Sequence, residues 1–135
     1  KGFMHWKADL LTEFTPFETG LDRFVKMDKG EFIGKAALAQ RQKDGLRKKL
    51  AHLRIDTDKA PAHGGASLID GRRVVGTISS GDWGHRIGKN LAYAFVNADQ
   101  ANIGNSMDLD LCGELVGATV IAPGPYDPDF LRMKS

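Results

Sequence analysis

The side chains best suited to contact a ligand lie in two short segments of the sequence. Residues 5–9, His-Trp-Lys-Ala-Asp, place an imidazole, an indole and a carboxylate within five positions. Residues 79–86, Ser-Ser-Gly-Asp-Trp-Gly-His-Arg, add an indole, a carboxylate, an imidazole and a guanidinium in a predicted loop between two strands. Because loops carry functional groups more often than strands do, both segments are candidate ligand-contacting regions.

Structural roles are competing interpretations of these and other unusual residues. Trp6 fits a core anchor, and Trp83 fits a ring that closes one end of a barrel. Cys112 stands beside a turn glycine with no histidine near it in sequence, which favours a small core residue over a catalytic thiol. The basic cluster Arg47–Lys49 has no interleaved aromatic residues for base stacking, which is typical of a solvated connection.

Sequence patterns of the common catalytic and metal sites are absent. The chain contains no nucleophile elbow, no phosphate-binding loop, no zinc-protease motif and no dinucleotide-binding glycine motif after a strand. Its histidines, at positions 5, 52, 63 and 85, are too far apart for metal-ligand spacing. We therefore expect neither a metal site nor a catalytic residue in this chain.

Composition narrows the class of protein. The chain has 135 residues, is 41% hydrophobic and 27% charged, and carries a net charge of only +2, so we expect neither a nucleic-acid nor a membrane partner. A single cysteine excludes an internal disulfide. Because the sequence starts with Lys1-Gly2 rather than methionine, we expect a domain cut from a longer protein.

The elements that must position the candidate residues are one helix and several strands. A helix is predicted over 32–43, with Gly45 as its stop, and its narrow apolar face suggests a position on the surface of something larger. Asp70-Gly71 between apolar runs predicts a hairpin whose second arm covers 73–80. Further strands are predicted at 51–55, 91–96, 107–111 and 115–121. Five or six strands of this length predict a mostly β fold with one helix and a compact barrel.

Several segments, in order, follow the motif pattern of one family. They are Lys1–Trp6 with Asp9-Leu10, Thr15–Leu21, Phe32–Leu38, Gly71–Gly81, Gly88–Val96 and Tyr126–Arg132. Together they resemble the C-terminal part of the glycine-cleavage T-protein (aminomethyltransferase) superfamily. The last two segments look most like the branch fused to a flavin-dependent amine dehydrogenase, as in dimethylglycine and sarcosine dehydrogenases.

The resemblance implies a domain division and an activity. Residues 1–46 would be the tail of an α+β folate-binding domain, and residues 47–135 an antiparallel barrel that closes over it. The full-length enzyme would use tetrahydrofolate and a small N-methyl or aminomethyl amine to form methylenetetrahydrofolate, in the cytoplasm or the mitochondrial matrix. FAD would belong only to an upstream domain. The folate-contacting glutamate and the catalytic aspartate of the family would both precede Lys1, so we expect the chain alone to be inactive.

The resemblance also implies which residues face the folate. Phe3 and Trp6 would stack on the pterin, His5 and Asp9 would make polar contacts, and Glu18 would lie behind them. A pterin is flat and edged with donors and acceptors, so aromatic faces and carboxylates suit it.

Departures from the family pattern leave two alternatives open. Relatives often have tyrosine at Phe3, glycine at Lys7 and threonine at Ser79. One alternative is a folate-dependent tRNA-modification factor of the same superfamily, against which the Tyr126–Pro128 ending argues. The other is a β-barrel module that binds RNA through Arg47–Lys49.

Overall fold

A closed barrel of six antiparallel strands forms the body of the protein, in a computed structural model that describes residues 1–134. The strands are β1 Lys48–Ile55, β2 Ser67–Asp70, β3 Arg73–Gly84, β4 Lys89–Asn97, β5 Ser106–Leu111 and β6 Glu114–Ile121. Their order around the barrel is β1-β4-β3-β2-β5-β6, and β1 pairs with both β4 and β6. Closure leaves no open sheet edge, and it confirms the predicted compact antiparallel barrel.

Helices are few and lie outside the barrel. They are α1 Lys35–Asp44, α2 Leu131–Lys134 and two short 3-10 helices, Asp22–Phe24 and Ala98–Gln100. The predicted helix begins at Lys35 rather than Phe32, because Gly34 has a φ of 91° that a right-handed helix does not contain. No side chain of α1 is buried against the rest of the described chain, so its packing on something larger stays a prediction. No helix over residues 1–134 is long and apolar enough to cross a membrane.

The core fills the barrel interior with side chains from all six strands. It is made of aliphatic residues and one methionine, and the largest fully buried apolar side chains are those of Leu53, Leu68, Ile78, Val96 and Leu109. Inward residues alternate with outward ones, as the pleat of a strand requires. The barrel therefore has a packed interior, and a ligand must bind on its outer surface or at its ends.

Two predictions about the strands and their turns are wrong. The segment 79–86 is not a loop, because β3 continues to Gly84 by pairing with β4, and the turn begins only at His85. Cys112 is not a core residue; it is exposed in the tight turn between β5 and β6, where Cys112 and Gly113 have φ values of 57° and 89°. Cross-strand pairing in the first case and turn geometry in the second overrode the local residue preferences.

The N-terminal segment covers the outer face of β1, β4 and β3. The ring of Phe14 stacks on that of Phe95, with centroids 3.6 Å apart. The backbone N–H of Leu50 donates to the carbonyl of Glu18 at 2.8 Å. These contacts bury one outward-facing side of the barrel, and the candidate residues of positions 1–18 therefore lie against the strands.

Candidate ligand-binding cleft

Asp9 fixes the N-terminal segment to β3. Its carboxylate is fully buried. One oxygen, Oδ1, accepts hydrogen bonds from the hydroxyls of Ser79 at 2.5 Å and Ser80 at 2.8 Å. The other oxygen, Oδ2, accepts from the backbone N–H of His5 at 2.6 Å. All these bonds lie within the protein, so Asp9 holds the segment in place.

A β-bulge explains how two consecutive serines reach one carboxylate. Neighbouring side chains of a regular strand point to opposite faces of the sheet. The pairing of β3 with β4 shifts register between Ile78 and Ser80, and such a shift re-aims the side chain at the irregular position. Both hydroxyls therefore contact Asp9.

Glu18 stabilises a turn away from the cleft. Its side chain is buried and accepts hydrogen bonds from the Thr15 backbone N–H and the Thr15 hydroxyl, each at 2.8 Å. The carboxylate thus satisfies the first donors of the turn at 15–19, in the manner of a helix cap. In this arrangement Glu18 stabilises the N-terminal segment and does not face the cleft.

A cleft of about 430 Å³ opens between residues 1–5 and the outer face of β1, β3 and β4. Its walls include the rings of Phe3, Trp83 and Tyr93 and the imidazoles of His5 and His52. We call this cleft the aromatic lobe. Its size and its mixture of flat apolar faces with a few polar atoms are typical of small-molecule sites.

His52 is the most unusual group in the aromatic lobe. Only 6% of the residue is exposed, its ring stacks on Tyr93 with centroids 4.6 Å apart, and its Nδ1 is buried without a hydrogen-bond partner among the described residues. Burial lowers the pKa of His52 to about 4; the positive charge of the amino terminus adds to this and Asp9 opposes it. The imidazole is therefore neutral at pH 7, and one of its ring nitrogens is buried without a partner among the described residues.

Tyr93 is also shaped by burial. Desolvation of its hydroxyl, helped by the negative charge of Asp9, raises the pKa of Tyr93 to about 12. The phenol therefore stays protonated across the physiological range and serves as a flat face with a neutral hydroxyl.

A second cavity adjoins the aromatic lobe. It measures about 470 Å³ and shares Lys1, Gly84 and Leu91 with its neighbour. Arg86, beyond the end of β3, and Arg132, from the C-terminal tail, also line it. We call this cavity the cationic lobe.

The two ends of the chain form the wall of the cationic lobe. Lys1 Nζ donates to Asp127 Oδ2 at 2.7 Å, and this hydrogen bond holds the pKa of Asp127 below its usual range. The backbone of Gly2 lies so close to Gly124 that an added Cβ would be 2.9 Å from the Gly124 nitrogen. The shape of the lobe thus depends on contact between the C-terminal tail and residues 1–2.

The structure separates the residues that the sequence proposed for one site. Phe3 and His5 line the aromatic lobe, whereas Trp6 does not and is 71% exposed. Exposure of this extent rules out the core-anchor interpretation of Trp6. Asp9 and Glu18 are buried with their carboxylates engaged inside the protein.

Trp83 lies where a strand ends, not in a loop. It is half-buried and borders both the aromatic lobe and a cavity of about 360 Å³ near Asn90 at one end of the barrel. The expected role as a closing ring is therefore met only in part, since one side of the indole also faces the cleft.

His52 and Tyr93 were missed by sequence reasoning. The alternation in β1 predicts that His52 faces water, and within the isolated barrel it does point outward. The N-terminal segment buries that face, and no local pattern around His52 signals it. Only the docking of residues 1–5 onto the strands, a long-range contact, creates the lobe.

Comparisons with known proteins agree with this architecture. The family model described as the glycine cleavage T-protein C-terminal barrel domain matches residues 48–127. The crystal structure of the glycine cleavage system aminomethyltransferase T from Bartonella henselae superposes with a TM-score of 0.83 at 22% identity, covering 90% of this chain and 34% of that one. This likeness shows the shared fold.

Relatives among the curated proteins fall into two groups. Mitochondrial dimethylglycine dehydrogenase of Mus musculus is 35% identical over 90% of this chain and 14% of its own length. Mitochondrial sarcosine dehydrogenase of Homo sapiens is 32% identical over 99% of this chain and 15% of its own. An aminomethyltransferase of Saccharopolyspora erythraea is 38% identical over 84% of this chain and 31% of its own. The chain thus spans less than a third of the length of each of these relatives.

Proposed function

The chain belongs to the family of glycine cleavage T-protein C-terminal barrel domains, and from that premise we propose that it forms the C-terminal part of a tetrahydrofolate-dependent one-carbon transfer enzyme. The dehydrogenase relatives point to an enzyme in which an upstream FAD domain oxidises an N-methyl amine. Residues 1–46 would then complete the folate-binding domain and residues 47–135 would form the barrel beside it. The enzyme would lie in the mitochondrial matrix or in the cytoplasm, and the two dehydrogenase relatives are named as mitochondrial proteins.

The aromatic lobe is the observation that carries this proposal. Phe3, Trp83 and Tyr93 offer faces for a flat heterocycle, and the neutral imidazole of His52 in the same lobe offers a polar group for the edge of such a ring. A pterin has both features. The side chains of the aromatic lobe therefore suit the pterin ring of tetrahydrofolate.

The contribution of this chain would be to bind, orient and exclude water. When bound, the folate supplies the nitrogen nucleophile that captures a reactive iminium carbon. Such a capture depends on proximity and on keeping water away more than on a strong base. Asp9 and Glu18 would hold the N-terminal segment in place, while Phe3 and His5, which line the aromatic lobe, would contact the ligand.

A pair of matched phenylalanine variants in the longer enzyme tests the proposal. Phe3 and Phe24 are equally exposed, at 67%, but only Phe3 lines the aromatic lobe. Loss of one stacking contact is expected to weaken tetrahydrofolate binding in Phe3→Ala by about three- to tenfold. Phe24→Ala is expected to bind as the parent enzyme does, and calorimetric titration measures both.

Two further readouts separate this site from an interdomain contact. The family resemblance favours stacking of the pterin on the exposed indole of Trp6, and Trp6→Ala tests this alternative. Weaker tetrahydrofolate binding in Trp6→Ala would indicate stacking on the indole, whereas unchanged binding would indicate stacking within the lobe. Flavin reduction by the amine is expected to be unchanged in all three variants, because that chemistry would occur in another domain. A fall in flavin reduction with unchanged folate affinity would mean that residues 1–20 contact a neighbouring domain instead of the folate.

A further inference from the structure

The cavity of about 360 Å³ at one end of the barrel has charged walls of both signs and one aromatic wall. We call it the barrel-end cavity. Trp83 forms its aromatic wall, and the charged side chains are those of Arg54, Asp56, Asp58 and Lys89. Because two of these are positive and two are negative, a ligand without net charge suits the cavity better than an anion or a cation does.

Two of the four charged side chains in the barrel-end cavity have no partner of opposite charge. Arg54 Nε donates to Asp56 Oδ1 at 3.0 Å, so these two side chains neutralise each other. Asp58 and Lys89 are exposed, and neither forms an ion pair with the other or with any other residue of 1–134. A ligand that carries one positive and one negative group can therefore pair with both of them.

The buried side of the cavity is formed by Asn90, whose polar atoms are already engaged within the protein. Only 1% of Asn90 is exposed. Its Oδ1 accepts a hydrogen bond from the Ala62 N–H at 3.3 Å, and its Nδ2 donates to the carbonyls of Thr57 at 3.3 Å and Ala60 at 2.7 Å. A primary ammonium would exchange water for acceptors that already hold a hydrogen bond. A quaternary ammonium has no N–H donor, so it enters without that cost.

We propose that the barrel-end cavity binds a small zwitterion with a quaternary ammonium at one end and a carboxylate at the other. The ammonium packs on the Trp83 indole, because the face of an aromatic ring attracts cations, and Asp58 adds its negative charge. The carboxylate pairs with Lys89. This ligand differs from the N-methyl amine of the proposed function, since a quaternary nitrogen has no lone pair from which oxidation could form an iminium.

Two probes of equal shape test the proposal on the 135-residue chain. Glycine betaine is the zwitterion, and 3,3-dimethylbutanoate replaces its charged nitrogen with a neutral carbon. We would follow the amide resonances of residues 57–58 and 88–90 by NMR, together with the Trp83 indole N–H in Trp6→Phe, in which Trp83 is the only tryptophan. Betaine is expected to bind at least about fivefold more tightly than 3,3-dimethylbutanoate and than glycine, which has a primary ammonium. Equal binding of betaine and either probe would overturn the proposal, as would the absence of saturable shifts up to 100 mM betaine.

Matched charge variants locate the site. Asp58→Asn and Lys89→Gln are each expected to weaken betaine binding about two- to fivefold, as loss of one exposed charge contact would. Asp108→Asn and Lys26→Gln remove exposed charges that do not line the cavity, and they are expected to have no effect. Equal losses in all four variants would show attraction to overall charge in place of a site. The titration contains no folate, so failure of this proposal and failure of the proposed function give different results.

Discussion

The carboxylate of Asp9 and the hydroxyl of Ser79, 70 positions apart in the sequence, are joined by a hydrogen bond of 2.5 Å. This contact connects the N-terminal segment to the bulged middle of β3. Both residues fall in segments that resemble family motifs, and the bond gives a physical reason for the two motifs to occur together. The aromatic lobe exists only while this bond and its neighbours hold residues 1–5 against the barrel.

Asp9→Ala is expected to release the N-terminal segment while the barrel remains folded. The change removes the acceptor of two hydroxyls and one backbone N–H, and each donor left unpaired costs about 1–3 kcal/mol unless the segment opens to water. The Leu50 N–H, which donates to the Glu18 carbonyl, reports on this opening. Its hydrogen exchange is expected to accelerate by about tenfold or more.

A control aspartate distinguishes this effect from general loss of charge. Asp82 is exposed, and its side chain accepts a hydrogen bond from the backbone N–H of the adjacent Trp83 at 2.7 Å. Asp82→Ala is expected to leave exchange at Leu50 unchanged. Unaltered protection of Leu50 in Asp9→Ala would show that Phe14 and its stacking contact suffice to hold the segment.

The barrel was predictable because its signals are local. The Asp70-Gly71 turn and the alternation in β5, Met107 to Leu111, identify a hairpin and a half-buried strand without knowledge of the rest of the chain. The inward-facing apolar residues of the strands must then share one core, and the six strands enclose that core by closing into a barrel.

The cleft was not predictable because it arises from contacts between distant segments. His52 looks like a solvent-facing residue until residues 1–5 cover it, and Ser79-Gly81 looks like a loop until pairing with β4 is known. Trp6, the strongest aromatic candidate in the sequence, is instead exposed. Side-chain type alone could identify candidate groups, but their burial depended on docking of the N-terminal segment.

Gly81→Ala is expected to destabilise the protein. A Cβ at Gly81 would lie 2.6 Å from the carbonyl oxygen of Ala62 and 3.0 Å from its Cβ, and the backbone oxygen has little room to move. Forcing extra volume into such a packed contact typically costs about 1–3 kcal/mol. Gly30→Ala is the matched control, since nothing lies within 4 Å of its added Cβ and it is expected to be neutral. Equal urea midpoints for the two variants would contradict the close approach of Gly81 to Ala62.

Lys7→Gly is expected to stabilise the N-terminal segment. Lys7 has a φ of 67°, in the left-handed region where a side chain costs about 1–2 kcal/mol and glycine costs little. The greater freedom of glycine in the unfolded chain offsets part of this gain, which leaves about 0.5–1 kcal/mol. Lys26→Gly, at an exposed position without positive φ, is expected to give no gain. Hydrogen exchange of the Leu50 N–H is the measurement, and it is expected to be slower in Lys7→Gly but not in Lys26→Gly. Equal exchange rates in the two variants would show that the backbone at Lys7 is not strained.

His52 is expected to make the folded protein sensitive to mild acid. Burial lowers its pKa to about 4 in the folded chain, whereas an unfolded histidine titrates near 6.5. Between these values the unfolded chain binds a proton that the folded chain does not, so the free energy of unfolding rises with pH from about 4 to about 6.5. The pKa difference sets an upper limit of about 3.4 kcal/mol, and water in the adjoining lobe screens the charge and reduces the expected effect to about 1–2 kcal/mol.

Two histidine variants isolate this contribution from the carboxylates that titrate nearby. His52→Gln cannot gain the proton, so its urea-unfolding free energy is expected to fall less than that of the parent between pH 7 and pH 4.5, by about 1–2 kcal/mol. His85→Gln changes an exposed imidazole and is expected to keep the parent pH dependence. If His52→Gln loses the fold, NMR titration of the His52 ring protons in the parent chain gives the same information, with an expected midpoint near 4. A midpoint near 6.5 would mean that the imidazole is hydrated, and that residues 1–5 do not cover it in solution.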